Sequence, residues 1–351
     1  MYTPFFTITP KISKNLESLG AVFGYLNAVQ IPEAYKKELV SKVTAETVHS
    51  STAIEGNTLT EKQVEEVLKG KKVMAEGEDI QEVINYNAAL EYVQKLVMNN
   101  EVIINEKLIR EINAIILKNI RDDIAGKYRK VQVIVGDYIP PEPFKVPSLV
   151  QELVDWIQNP QPSELSPILC TGIVHYQLVA IHPFEDGNGR TTRVVTTLML
   201  ADHGYDMTNY FALESYYNRD RRAYYRALNT ADQFRTNGLP DLTQWLEYYV
   251  EGILIEAARA RSHIEEILTK SKVTAEKVWI STAQMNILKL TYEKETAKIA
   301  DYLKISVLSR KGTYNAAVKL VQLGLLKRLG QRKGTYYTVT EKALSYIKEI
   351  L

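Results

Sequence analysis

The chain has one cysteine, Cys170, among its 351 residues. An intrachain disulfide is therefore impossible, and nothing calls for an oxidising compartment. A thiolate zinc site is excluded as well, because one Cys and five scattered His lack ligand spacing. The first residues, Met1-Tyr2-Thr3-Pro4-Phe5-Phe6, carry neither the basic stretch nor the apolar core of a secretory leader. Apolar runs of about 18 residues, which a membrane span needs, are missing. So are internal repeats and low-complexity segments. With 24% charged and 45% hydrophobic residues, the composition is that of an ordinary globular protein. The expectation is a cytoplasmic protein with no membrane partner.

Net charge is nearly absent too, at +1, but its distribution is uneven. Residues 283–351 hold 13 Lys+Arg against 5 Asp+Glu, which leaves 30 against 37 for the remainder. A basic tail on an acidic body predicts separate domains with different partners.

The body reads as helical almost throughout. Helices are predicted over about 32–52, from a Thr60/Gln63 capping box to Gly70, over about 79–98, and after Asn105. In the last of these, Leu108, Ile112, Ile115 and Ile116 recur at helical spacing. Ser166-Pro167 fits the cap and first position of a helix reaching Ile181. Others are predicted over about 190–204, 219–232 and 242–269. The exception is 131–141, where Val131-Gln132-Val133-Ile134-Val135, the turn pair Gly136-Asp137 and Pro140-Pro141 predict a small hairpin. In the tail, three short helices over 283–290, 296–303 and 307–323 precede strands 325–328 and 336–339 around a turn at 330–334. That order, with its basic charge, suggests a winged helix-turn-helix.

One segment concentrates chemistry. His182-Pro183-Phe184-Glu185-Asp186-Gly187-Asn188-Gly189-Arg190-Thr191-Thr192-Arg193 sets a base, two carboxylates, two glycines and two arginines in twelve residues. Gly187 and Gly189 let the backbone turn its N–H groups inward, and a helix starting just after them adds its positive end, which together suit phosphate. Arg190 and Arg193 stand three apart on one helix face and could both fork onto phosphate oxygens. Asp186 is a hard oxygen ligand suited to a Mg²⁺ ion that carries phosphates. A neutral His182 imidazole could accept a proton from an attacking hydroxyl. Base, metal ligand and anion nest together imply phosphoryl or nucleotidyl transfer.

The same twelve residues fit, without a gap, the pattern His-x-Phe-x-Asp/Glu-Gly-Asn-Gly-Arg-x-x-Arg, and here the chain resembles the Fic family. The resemblance implies a fold that is mainly α, a Fic-type helical bundle with a small β-hairpin flap, followed by the winged helix-turn-helix. It implies that His182 is the catalytic base, Asp186 the Mg²⁺ ligand, and Phe184 a buried anchor. Gly187, Asn188 and Gly189 would cradle phosphates, Arg190 and Arg193 would hold the β- and γ-phosphates, and Thr191 and Thr192 are counted with them as ATP-binding residues. Glu185 falls at a variable position and receives no role. The domains expected are an N-terminal helical region with an inhibitory helix (1–100), a catalytic core (101–260), a linker helix (261–282) and the winged helix (283–351).

Three further segments extend the likeness. Gly126-Lys127-Tyr128-Arg129, leading into Val133-Ile134-Val135-Gly136 and Pro140-Pro141, resembles the family's flap, whose edge over 131–141 could hold a target segment by strand addition. Tyr224-Tyr225 sits where relatives keep an aromatic pair beside adenine, although on a helix such a pair is equally ordinary core, while Asp232 replaces an Asn that some of them use. Ser51-Thr52-Ala53-Ile54-Glu55-Gly56 fits an inhibitory pattern in which Glu55 pairs with Arg193 and withdraws it from the γ-phosphate; Ser51 lies one helical turn before it. The implied activity is transfer of AMP from Mg·ATP to Ser, Thr or Tyr hydroxyls of a target protein and of the chain itself, autoinhibited by Glu55. Transfer of another group, AMP removal, or a nucleotide-sensing DNA-binding regulator are the alternatives. DNA is the partner expected for 283–351, a protein-docking module being the other reading there, and a homodimer is left open.

Overall fold

The computed structural model describes residues 2–159, 164–205, 210–233, 235–236, 239–274, 280–330 and 334–348. They form two compact units, residues 1–268 and 269–351.

In the first unit the helices are α1 (Pro10–Ala28), α2 (Glu33–Ile54), α3 (Glu61–Leu68), α4 (Gly77–Met98), α5 (Glu106–Leu117), α6 (Val146–Gln158), α7 (Pro167–Ile181), α8 (Asn188–Asp202), α9 (Leu213–Arg219), α10 (Arg221–Gln233) and the long α11 (Thr243–Thr274), whose last turns fall in the second unit. Caps were the most legible boundaries. Thr60 and Gln63 form their reciprocal capping box, and the Asn105 side chain accepts the Leu108 N–H at 2.8 Å. Helix α1 was not among the predicted elements, although Thr9-Pro10 is an N-cap signature and the Thr9 hydroxyl accepts the Ile12 N–H. The helix expected over about 219–232 is α10, while α9, which ends just before it at Asp220, was not among the predicted elements.

Helices α7 and α8 are buried on nearly every side, α7 through Ile168, Leu169, Ile173, Val174, Tyr176 and Leu178, and α8 through Val194, Val195, Leu198 and Leu200. A helix that is covered all round sits at the centre of its domain. Helices α2, α4 and α5 pack on α8, so the loop joining α7 to α8 is anchored at both ends. Short strands β1 (Arg235–Thr236) and β2 (Leu239–Pro240) pair antiparallel before α11. The hairpin expected at 131–141 is reduced to one antiparallel bridge, with Val135 and Tyr138 exchanging both backbone bonds at 2.9 and 3.0 Å around Gly136-Asp137. Gly136 has φ +60°, which favours glycine there.

The second unit holds α12 (Thr282–Glu293), α13 (Ile299–Tyr302), α14 (Arg310–Gln322), the antiparallel strands β3 (Leu326–Leu329) and β4 (Tyr336–Val339), and α15 (Glu341–Lys348), a helix that the sequence reading did not include. The expected turn lies partly outside the described residues, at 331–333. A core of Ile287, Leu288, Tyr302, Leu320, Leu326 and Tyr337 holds this unit together, and Tyr337 also bridges to Ala297. Among the described residues, no helix is long and apolar enough to cross a membrane.

Candidate active site

His182 ends α7 in the left-handed conformation, φ +50° and ψ 62°, which costs a non-glycine residue roughly 1 kcal/mol or more. This turn directs the chain from α7 into the loop. Its Nδ1 lies 3.3 Å from the Val179 carbonyl. A proton on Nδ1 donated there leaves the Nε2 lone pair as the acceptor. Burial holds the imidazole below the ordinary histidine range, against the opposing Val179 hydrogen bond, and the Arg129 cation adds to the depression. The side chain is therefore neutral near pH 7, as a proton acceptor must be.

The loop is closed by Asn188. Its Oδ1 accepts the Phe184 N–H at 2.8 Å, and its Nδ2 donates to the Phe184 carbonyl at 2.9 Å. The Asn188 amide is thus spent on the loop, which leaves the backbone N–H of that residue for the expected phosphate cradle. Phe184 is buried, against Tyr128. Thr191 and Thr192 are buried as well, Thr191 with its hydroxyl accepting from Asn113 at 3.2 Å. Both lie in the first turns of α8.

Gly187, φ +76°, caps α8, and a Cβ there would meet Asn113 Nδ2 at 3.0 Å. Asn113 was not foreseen, yet it ties three segments together. Its Nδ2 also donates to the Asp186 carbonyl at 3.0 Å, and its Oδ1 accepts the Gly126 N–H at 2.9 Å. Asn113→Ala is expected to cost about 2–4 kcal/mol, three net hydrogen bonds with a buried N–H left unpaired. Urea titration followed by circular dichroism measures it, and a loss under about 1 kcal/mol would deny Asn113 this role.

The two arginines are both claimed by carboxylates. Arg190 Nη1 donates to Glu82 Oε1 at 2.6 Å and its Nη2 to Asp186 Oδ1 at 3.1 Å. Glu82, another residue the sequence did not single out, also accepts from Asn57 at 2.9 Å, two residues after Glu55. Arg193 is 2% exposed; its Nε donates to Ser51 Oγ at 2.7 Å, and its Nη2 to the Ser51 carbonyl at 3.0 Å and to Glu55 Oε1 at 2.7 Å. Burial opposes charge on Glu55, but the Arg193 and Arg190 guanidiniums, with the hydrogen bond from Arg193, together hold the carboxyl below its usual range. The Glu55 carboxylate also rests on Gly189, where a Cβ would stand 2.3 Å from its Oε1. The first turn of α8, whose N–H groups lack intrahelical acceptors, is the helix end that favours an anion, and the Glu55 carboxylate lies against Gly189 there.

Asp186 keeps 42% of its side chain exposed beside the same helix end, and among the described residues only its Oδ1 is engaged, by Arg190 and by the Gly187 N–H. One exposed carboxylate next to an anion seat fits a Mg²⁺ ion that arrives with its phosphates, since Mg²⁺ ordinarily takes one or two protein carboxylates. Among the described residues, no three His, Cys, Asp or Glu side chains converge on a common point.

A cleft of about 440 Å³ opens beside His182, lined by Val135, Gly136, Tyr138, Val179, Tyr225 and Leu228. The adjacent tyrosines separate here. Tyr225, 43% exposed, lines the cleft, whereas Tyr224 is turned into the core, stacked on Tyr217 with its hydroxyl 2.9 Å from His175 Nε2. Tyr224 is thus a core residue, the other reading that its place on a helix allows. Val133 is half-buried and Ile134 is 69% exposed, so neither closes the cleft as Val135 and Gly136 do. The side chain of Asp232 lies outside the described residues.

Residues 103–200 match the family model described as the Fic/DOC family. The chain is 31% identical over 195 residues to "Protein adenylyltransferase Fic" of Culex quinquefasciatus, covering 55% of this chain and 39% of that protein. It is 34% identical over 200 residues to the protein of the same name in Nematostella vectensis, covering 56% and 45%. The match thus spans less than half the length of these curated relatives. Among solved structures, a Fic family protein from Desulfovibrio desulfuricans G20 has the same fold at 24% identity, with a TM-score of 0.69 over 97% of this chain and 99% of that one. Fic-1 from C. elegans, at 26% identity, gives a TM-score of 0.58 over 73% and 71%.

Proposed function

We propose, from the match of residues 103–200 to the Fic/DOC family model and the geometry of the loop, that this chain transfers AMP from Mg·ATP to protein Ser, Thr or Tyr hydroxyls, its own included, and is held in check by Glu55. One observation carries the reading: the Glu55 carboxylate lies on Gly189 and Arg193, where a phosphate would lie. A carboxylate that fits an anion seat is a competitor for it. His182 Nε2 takes the hydroxyl proton as the oxygen bonds to the α-phosphorus. The bond from that phosphorus to the α,β-bridging oxygen breaks, and pyrophosphate leaves with both electrons. Asp186 would hold the Mg²⁺ ion, which neutralises charge on the leaving phosphates. Arg190 and Arg193, once released from their carboxylates, orient the β- and γ-phosphates. The Tyr225 side of the cleft offers adenine an apolar wall, and the segment 131–141, exposed at Ile134 and Ile139, offers an extended target segment an edge for strand addition.

Incubation with ATP labelled at either end tests this reading. The α-label retained on protein supports AMP transfer; the γ-label retained instead would replace it with phosphate transfer. Retention of neither label, even by Glu55→Gly, would leave the DNA-binding regulator.

The tail supports a second, separate reading, a winged helix that binds duplex DNA. Arg310 and Lys311 are exposed in the first turn of α14, and Lys327 and Arg328 are exposed on β3. Their phosphate contacts would release counterions, so affinity should fall steeply with salt. The full chain is expected to shift duplex DNA at low salt, and Arg310→Glu with Lys311→Glu to lower the log–log salt slope by about 1 per lost contact. No shift at low salt would overturn the reading and favour protein docking.

A further inference from the structure

Arg129 is 2% exposed and has no salt-bridge partner among the described residues. Its guanidinium donates to carbonyl oxygens, and these come from two places. Nε reaches the His182 carbonyl at 2.8 Å and Nη2 the Ile181 carbonyl at 3.4 Å, at the end of α7. Nη1 reaches the Val131 carbonyl at 3.3 Å and Nη2 that of Pro141, at the two ends of the flap. The Arg129 backbone N–H adds the Pro183 carbonyl at 3.0 Å. One buried side chain thus joins both feet of the flap to the residue that carries the imidazole. At the far end, the Tyr138 hydroxyl donates to the Ala180 carbonyl at 2.8 Å. These two ties span the cleft between Val135–Tyr138 and His182.

We propose that Arg129 is a positioning residue, which fixes the flap against His182 so that a hydroxyl held on the flap meets Nε2; this rests on the transfer reading above. Three physical arguments support it. The last carbonyls of α7 have no intrahelical donor and carry the negative end of the helix dipole, so a buried cation is favoured there. Four acceptors in two directions need a rigid fork with five N–H donors, which lysine lacks. The left-handed His182 backbone is unfavourable unless its surroundings impose it, and the bond from Arg129 to its carbonyl is one such restraint. A displacement of about 1 Å between reacting groups costs as much as 10²-fold in rate.

The test uses the full chain carrying Glu55→Gly, with Arg129→Met or Arg129→Lys added. Both are expected to lower kcat by about 10²-fold while KM for ATP stays within roughly threefold, the pattern of a lost transition-state interaction. Lysine should restore little, because charge without the fork cannot reach both sites. Amide hydrogen exchange, which needs no activity, should speed up about tenfold or more over 131–141 and 178–184, while α4 and α11 keep their protection. Unchanged exchange, protection lost across residues 1–268, or full rescue by lysine would each overturn the proposal. Absence of α-label transfer in the Glu55→Gly parent would instead refute the transfer reading, and the exchange result would still decide whether Arg129 couples flap and base.

Discussion

His182→Ala, made in the Glu55→Gly chain, is expected to lose transfer by about 10²–10⁴-fold, the usual worth of a general base. Nucleotide binding should hardly change, because the anion seat is built by α8, Gly189 and Arg193, and the imidazole is not part of it. The α-label assay gives the first quantity and titration with ATP gives the second. Transfer within a few-fold of the parent would refute the role. The pH profile supplies an independent check. Burial, then Arg129, lowers the pKa of His182, while the Val179 carbonyl, Glu55 and Asp186 raise it. The base must be unprotonated, so the rate should hold as pH falls through about 6.5, the ordinary histidine value, and drop only below it. Removing Glu55 takes away one of the groups that favour the imidazolium, which moves the acid limb lower still. An acid limb centred above about 6.5 would contradict the burial of this imidazole. Stability has a matching sign: the unfolded chain binds the proton first, so His182 destabilises the fold as pH falls below the unfolded value.

Glu55→Gly, the second large effect, should raise transfer by tens- to a hundred-fold, first visible as label on the chain itself. A closed state favoured by about 3 kcal/mol leaves roughly 1 molecule in 150 competent. That magnitude suits a charge-assisted pair with one partner fully buried. It is not larger, because 30% of the Glu55 side chain remains exposed to water. The double variant with Arg193→Ala should lose most of the gain, since the freed guanidinium is what orients the triphosphate. The comparison is made at matched subsaturating ATP and Mg²⁺, as saturating nucleotide competes with the carboxylate. Label incorporation no higher than that of the unaltered chain, with circular dichroism intact, would reduce Glu55 to a helix-end carboxylate.

The sequence by itself determined whatever is local in the chain. The caps at Thr60 and Asn105 announced their helices because a cap is a contact over three residues. The loop from His182 to Arg193 was legible for a similar reason: the left-handed turn, the positive-φ Gly187 and the paired arginines are set within twelve neighbouring positions. Only the tertiary structure decided which distant groups meet them. Glu82 reaches Arg190 across 108 positions, Asn113 reaches Asp186 across 73, and Arg129 reaches His182 across 53. No spacing rule encodes such pairs, because they depend on how helices cross. Glu55 and Arg193, 138 positions apart, could be paired in advance only through a family likeness. Tyr224 and Tyr225 mark the boundary most sharply. Both suit a helix, but successive residues point about 100° apart, and packing of α10 against Tyr217 and His175 sent one ring into the core and left the other on the cleft.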